Sequence, residues 1–184
     1  MERVYQSILS HLDFDGKGQI LDVGCGSGAL SIRAALVWPQ ARVLGIDAWP
    51  PAYNYSQRMC EKNAESEGVA VRCRFQRGDA NKLDFPDECF DAVVSNYVYH
   101  NITGADRQAL LLETLRVLKK GGVFALNDEM KPRLYGDMEA FAQKLRDMGY
   151  EDVRLIDTAT EAFGSCRRAA MMMLGASRML VGRK

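Results

Sequence analysis

The sequence predicts an α/β fold built on an open, mostly parallel sheet. Residues 20–23 form a short apolar run that is typical of a strand buried on both faces, and a helical spacing of apolar residues begins at Ala29. A second strand-like run covers residues 43–46, and strand and helix patterns then alternate along the chain. Strands and helices that alternate in this way form a parallel sheet with helices on both faces.

A glycine-rich turn lies between the first strand and its helix. Gly24, Gly26 and Gly28 occupy alternate positions, where glycine allows positive φ and lets a ligand approach the backbone closely. The helix that follows directs its unpaired N–H groups toward the same point. Asp47, 19 residues after Gly28, ends the second strand, where an acid is placed to accept hydrogen bonds from ribose hydroxyls. These features predict a nucleotide-type binding loop.

Two kinds of cofactor are compatible with this loop. The spacing Gly24-x-Gly26-x-x-Ala29 also matches the dinucleotide fingerprint, in which alanine can replace the third glycine. Asp22, inside the strand just before the loop, favours the other kind. Its carboxylate would repel a pyrophosphate and attract a cationic ligand that carries an ammonium or a sulfonium group.

Residues 20–30 resemble motif I, Asp/Glu-x-Gly-x-Gly-x-Gly, of the class I S-adenosylmethionine-dependent methyltransferases. Residues 116–122 resemble the motif that precedes strand 5 in that family. The resemblance is closest to the ubiquinone/menaquinone-biosynthesis group, also called methyltransferase type 11. It implies a Rossmann-like three-layer sandwich whose mostly parallel sheet has seven strands. The last strand, residues 177–183, would run antiparallel between strands 5 and 6.

The resemblance also implies a site for S-adenosylmethionine. In the family the glycine loop wraps the methionine part, an acid after strand 2 holds the ribose, and an acid after strand 3 binds the adenine amino group. The expected cofactor residues are Asp22, Gly24, Cys25, Gly26, Gly28, Asp47, Ala48, Trp49, Asp79, Ala80, Asn96 and Tyr97.

Residues 96–101 should border the ligand crevice, because that crevice lies outside the carboxyl ends of the strands where the strand order switches. His100 carries the imidazole of this segment, a side-chain type often used for proton transfer, so it is a candidate general base or substrate ligand. The alternative is that His100 only caps a helix or packs against its neighbours. Tyr99 is a second candidate catalyst. The candidate substrate contacts are Tyr53, Tyr55 and Asn101.

The composition of the chain argues against several classes of partner, namely nucleic acids, metals and membranes. The 24 basic and 24 acidic residues cancel without a block of like charge, which argues against a nucleic-acid surface. The five cysteines have no C-x-x-C spacing, so we expect reduced thiols and no structural metal. No acid or histidine set suggests a catalytic metal. We expect a cytoplasmic protein without indicated membrane association, because the chain shows no secretory signal and no apolar run of about 18 residues. Nothing in the sequence indicates an oligomeric state.

We expect one domain over residues 1–184. An N-terminal helix and turn (1–19) would precede a cofactor-binding core (20–130), and residues 131–184 would complete the sheet. Met171, Met172 and Met173 are expected in the core.

The predicted function is methyl transfer from S-adenosylmethionine to an unidentified small-molecule acceptor, by in-line displacement at the sulfonium methyl. Such a reaction depends mainly on orientation, and a base is needed only where the acceptor must lose a proton. Two alternatives stay open: an NAD(P)-dependent oxidoreductase, and a non-catalytic module that only binds S-adenosylmethionine.

Overall fold

The computed structural model describes residues 1–184, apart from the side chain of Tyr53. Its strands form one sheet: β1 (Lys17–Val23), β2 (Gln40–Asp47), β3 (Cys73–Arg77), β4 (Phe90–Asn96), β5 (Leu118–Glu129), β6 (Glu151–Ile156) and β7 (Ser177–Arg183). The order across this seven-stranded sheet is β3-β2-β1-β4-β5-β7-β6. The strand order therefore reverses between β1 and β4, which is where such sheets bind ligands.

The helices connect these strands and cover both faces of the sheet. They are α1 (Glu2–Ser10), α2 (Ala29–Val37), α3 (Gln57–Ser66), α4 (Arg107–Arg116), α5 (Pro132–Tyr135), α6 (Met138–Asp147), α7 (Thr158–Phe163) and α8 (Cys166–Met171). Short 3-10 turns cover residues 51–53 and 99–101. Within the described part of the chain, each helix is too short or too polar to span a bilayer.

Two apolar cores lie on opposite faces of the sheet because successive strand residues point to opposite sides. Ile20 and Val94 pack with residues of α1, α2 and α3 on one face. Leu21 and Val93 pack with residues of α4 and α6 on the other face. The predicted three-layer α/β sandwich is confirmed.

β7 reverses the direction of the sheet, as expected. The strand pairs antiparallel with β5 and with β6, whereas the other pairs are parallel. Its first residue, Ser177, lies opposite Glu129 at the end of β5. The start of β7 therefore lies at the edge where the parallel strands end, next to the ligand crevice.

Two local predictions were wrong. The alternation of apolar and polar residues over 69–76 predicts a third strand, but β3 begins only at Cys73. Residues 69–72 form a turn instead, closed by hydrogen bonds from the Arg72 and Cys73 N–H groups to the Val69 carbonyl. The three methionines at 171–173 lie at the surface and not in the core, with exposed fractions of 81%, 59% and 79%. Of the residues in α8, only Ala169 turns into the protein.

Candidate functional site

A cavity of about 410 Å³ opens at the carboxyl edge of the sheet. Its volume falls within the range of small-molecule sites. The glycine loop after β1 forms its floor, and the segments after β2, β3 and β4 form its walls. Met1 and Tyr5 of the N-terminal region close one side.

Close backbone packing explains the glycines of the loop. Gly24, Gly26 and Gly28 have φ values of +72°, +56° and +80°, which are strained for other residues. A Cβ atom on Gly24 would lie 2.2 Å from Val98 Cγ2. The loop and the segment after β4 can therefore touch only because Gly24 has no side chain.

Three side chains fix the peptide groups of Gly26. Its N–H donates to Asp47 Oδ2 at 2.9 Å, and its carbonyl accepts from Trp49 Nε1 at 2.8 Å and from the Cys60 thiol at 3.1 Å. Asp47 also accepts the Trp49 backbone N–H at 2.6 Å. Trp49 lines the cavity and holds the loop at the same time, a structural role that was not expected from the sequence.

Asp22 places a buried carboxylate in the cavity wall. Only 1% of the residue is exposed. Its Oδ2 accepts a hydrogen bond from Ser31 at 2.5 Å, while its buried Oδ1 has no partner among the described residues. Burial, reinforced by the nearby Asp47 charge and opposed by the Ser31 hydrogen bond, raises the pKa of Asp22 to about 7. A buried, unpartnered carboxylate oxygen in a cavity wall is a receptor for a cation or a hydrogen-bond donor.

The cavity wall is acidic. Asp22, Asp47 and Asp79 line it, and no Lys, Arg or His side chain does so within the described part of the chain. Asp79 also shapes its own turn by accepting the N–H of Asn81 at 2.8 Å. These carboxylate acceptors therefore suit a cationic ligand that donates from hydroxyl and amino groups, such as S-adenosylmethionine, and do not suit a pyrophosphate.

The segment after β4 forms the wall opposite the glycine loop. Asn96 Oδ1 accepts from Asn127 Nδ2 at 2.8 Å, which anchors this wall to β5. Tyr97 and Asn101 line the cavity, and Asn101 donates to the Tyr97 carbonyl at 3.3 Å.

His100 lies behind this wall and outside the cavity lining. Its Nδ1 is hydrogen-bonded to the fully buried carboxylate of Asp128, and its side chain is 27% exposed. No hydrogen bond engages its Nε2 among the residues described. Tyr99 is fully buried, and its hydroxyl contacts Thr114 at 2.9 Å. Burial raises the pKa of Tyr99, so this side chain has neither the access nor the acidity of a catalyst.

The structure brings most of the expected residues together. The cavity wall contains Asp22, Gly24, Cys25, Gly26, Asp47, Ala48, Trp49, Asp79, Ala80, Asn96, Tyr97, Tyr55 and Asn101. Gly28 does not contribute to the wall but precedes α2, and its lack of a side chain accommodates Phe75. Tyr53 lies outside the residues whose side chains the structure describes.

Other residues of the site were missed. Ser31 could have been found, because it is nine residues after Asp22 in a helix that begins directly behind the loop. Met1 and Tyr5, which line the cavity, belong to residues 1–14. That segment is expected to form part of the substrate wall, although it carries no motif for a substrate. The described residues include no group of three His, Cys, Asp or Glu side chains that could hold a metal ion.

Comparison with known proteins agrees with this geometry. Residues 20–122 match the family model described as a methyltransferase domain. The chain is 31% identical to a demethylmenaquinone methyltransferase of Symbiobacterium thermophilum, over 71% of this chain and 50% of that protein. It is 33% identical to a fatty-acid O-methyltransferase of Mycolicibacterium smegmatis, over 71% of this chain and 43% of that protein. The chain thus spans about half the length of these relatives.

Solved structures share the fold. The [4+2]-cyclase SpnF matches with a TM-score of 0.74 and 21% identity, over 100% of this chain and 81% of that one. Geranyl diphosphate C-methyltransferase from Streptomyces coelicolor, solved with S-adenosyl-L-homocysteine, matches with a TM-score of 0.72 and 13% identity, over 97% and 77%.

The raised pKa of Asp22 predicts a pH dependence of ligand binding. A bound ammonium favours the ionised carboxylate, and below pH 7 the free protein holds this group mostly protonated. Affinity for S-adenosylhomocysteine should therefore rise by up to about tenfold per pH unit on the acid side of pH 7 and level off above it. Calorimetric titration between pH 5.5 and 8.5 measures this effect. Asp22→Asn should bind weakly with a flat profile, and Asp79→Asn should keep the slope. A flat profile in the unmodified protein would contradict a contact between Asp22 and the ammonium group of the ligand.

Proposed function

The chain belongs to the class I S-adenosylmethionine-dependent methyltransferases, and we propose that it transfers the methyl group of this cofactor to a small molecule with a large apolar part. The observation that carries the proposal is the unpartnered oxygen of Asp22 in an acid-lined cavity beside a glycine loop. The family match removes the support for an NAD(P)-dependent oxidoreductase.

In this proposal, each of three carboxylates binds a different part of the cofactor. Asp22 receives the ammonium group of the methionine part. Asp47, already held in place by the N–H groups of Gly26 and Trp49, accepts the ribose hydroxyls. Asp79, on the turn after β3, accepts the adenine amino group. Each ligand group then meets an acceptor without any cationic side chain nearby.

The acceptor would enter between α1 and the segment after β4. Met1, Tyr5, Tyr55, Tyr97 and Ile102 give this part of the cavity an apolar and aromatic lining. Relatives are named for demethylmenaquinone, sterols and fatty acids, which share large apolar parts. The lining and these names together support an apolar acceptor.

The bound cofactor supplies a methyl group already activated on a sulfonium. The chain's own residues therefore have to orient the acceptor and exclude water, and such orientation supplies up to roughly 7–11 kcal/mol of barrier lowering. The new bond forms between the acceptor nucleophile and the methyl carbon as the bond from that carbon to sulfur breaks.

His100 is the proposed base for an acceptor that must lose a proton. The buried Asp128 carboxylate accepts the Nδ1–H of His100, which fixes the tautomer in which Nε2 is the proton acceptor. His100 adjoins Tyr97, with ring centroids 6.4 Å apart. Because His100 lies outside the cavity lining, this role requires Nε2 to come within hydrogen-bond reach of the bound acceptor.

Transfer of a labelled methyl group tests the function. The protein is incubated with [methyl-³H]S-adenosylmethionine and a reduced demethylmenaquinone, a sterol or a long-chain fatty acid, and label is counted in the organic extract. We expect label in at least one extract and none with Asp47→Ala. The same incubation is repeated with an apolar extract of cells as the source of acceptors. Tight cofactor binding with no label transferred to any of these acceptors would favour the non-catalytic module.

Substitution of His100 tests the base, with the acceptor that the labelling experiment identifies. If the acceptor is a hydroxyl or an acidic carbon, His100→Gln should lower kcat about 10²- to 10⁴-fold while changing S-adenosylhomocysteine affinity less than twofold. Asp128→Asn should also lower kcat, but by a smaller factor than His100→Gln, because it removes only the carboxylate that orients the imidazole. His11→Gln, the same change at a histidine paired with Glu161 outside the cavity, is the matched control. Full turnover of His100→Gln across the pH range would rule out this role.

A further inference from the structure

Tyr97 has a strained backbone at the end of β4. Its φ is +57°, in the left-handed region that non-glycine residues rarely occupy. Its N–H donates to the Asn127 carbonyl of β5 at 2.9 Å. Strain of this kind persists where surrounding structure enforces it, and it is concentrated at functional sites.

Hydrogen bonds tie the Tyr97 hydroxyl to β7, whose residues lie outside the cavity lining. The hydroxyl lies 2.8 Å from Ser177 Oγ at the start of β7. Ser177 in turn donates to Glu129 Oε1 at 3.1 Å. Because a serine hydroxyl has one proton and Ser177 gives it to Glu129, the Tyr97 hydroxyl must be the donor to Ser177. The aromatic ring is then the part of the side chain left to face the cavity.

Glu129 sets the donor-to-acceptor direction of these hydrogen bonds, because its carboxylate oxygen accepts the Ser177 proton. The residue is only 3% exposed, its Oε1 also accepts the Ala176 N–H at 3.2 Å, and Lys131 lies 3.4 Å from Oε2. A carboxylate at the end of a hydrogen-bonded chain polarises each donor toward it. The phenol of Tyr97 is therefore electron-rich, and burial raises its pKa, which keeps it neutral.

The position of Tyr97 fits one part of the cofactor. Asp79, Asp47, Asn96 and Tyr97 line one cavity. If Asp79 took the adenine and Asp47 the ribose, as proposed, the wall formed by Asn96 and Tyr97 would be left for the sulfonium. An electron-rich ring attracts a cation placed over its face.

On the basis of the proposed function, we infer that the Tyr97 ring distinguishes the positively charged sulfonium of S-adenosylmethionine from the neutral thioether of S-adenosylhomocysteine. Ser177 and Glu129 are positioning residues that hold and polarise this ring. The arrangement favours the methyl donor over the demethylated product, and it would assist product release after each turnover.

The test is the ratio of the two affinities, measured by calorimetric titration of the full chain with each ligand. Tyr97→Leu should weaken S-adenosylmethionine binding about 2- to 30-fold, with less than a twofold change for S-adenosylhomocysteine. Tyr150→Leu, the same change at a half-buried tyrosine outside the cavity lining, should leave the ratio unaltered. Equal weakening of both ligands by Tyr97→Leu would overturn the inference. If the unmodified protein bound neither ligand, the proposed function would fail instead.

The positioning role has its own readout. Tyr97→Phe and Ser177→Ala break the same hydrogen bond, so each should lower the affinity ratio by a similar factor, and the double variant should lower it no further. Additive losses, or single variants that keep the full ratio while losing thermal stability, would show that Ser177 contributes only to packing.

Discussion

The buried carboxylate of Asp22 is the constraint on which the site depends. Burial without a partner for Oδ1 raises its pKa to about 7, so the ionised form destabilises the folded protein relative to the unfolded chain as the pH rises from about 4 to 7. Such a group persists where a ligand supplies the missing contact. The strand that carries Asp22 lies inside the sheet, paired with β2 on one side and with β4 on the other. In the proposed assignment, the ligand's cationic group would therefore meet a carboxylate on a strand that is hydrogen-bonded along both edges.

The remaining contacts hold a backbone surface around that carboxylate. Gly24 lets the loop touch Val98, and Asp47, Trp49 and Cys60 bind the peptide groups of Gly26 from three directions. Asp47 orders the loop by accepting the N–H groups of Gly26 and Trp49. If the same carboxylate binds the ribose hydroxyls, as proposed, binding and loop geometry would be coupled through one side chain. The antiparallel β7 brings Ser177 to the Tyr97 hydroxyl on the opposite wall.

Much of this could be predicted from sequence, because the determining signals are local. A strand, alternating glycines and an acid at the next strand end predict the loop and Asp47 without tertiary information. Long-range contacts could not be predicted in the same way. Asp128 lies 28 positions from His100 and Ser177 lies 80 positions from Tyr97, and no short-range pattern links them. Tyr99 was a candidate catalyst because its neighbours in sequence border the crevice. Its own side chain points toward α4, where its hydroxyl contacts Thr114, and the local sequence pattern does not show that direction.

Calorimetric titration with S-adenosylhomocysteine and, separately, with NADH distinguishes the two cofactor classes, in the unmodified protein and in Asp47→Ala. We expect S-adenosylhomocysteine to bind to the unmodified protein and the variant to lose at least about tenfold in affinity, because a charged hydrogen-bond acceptor is removed. Asp147→Ala, at an exposed position on α6, should bind like the unmodified protein. Binding of NADH in place of S-adenosylhomocysteine would contradict the assignment of Asp22 and of the whole cavity.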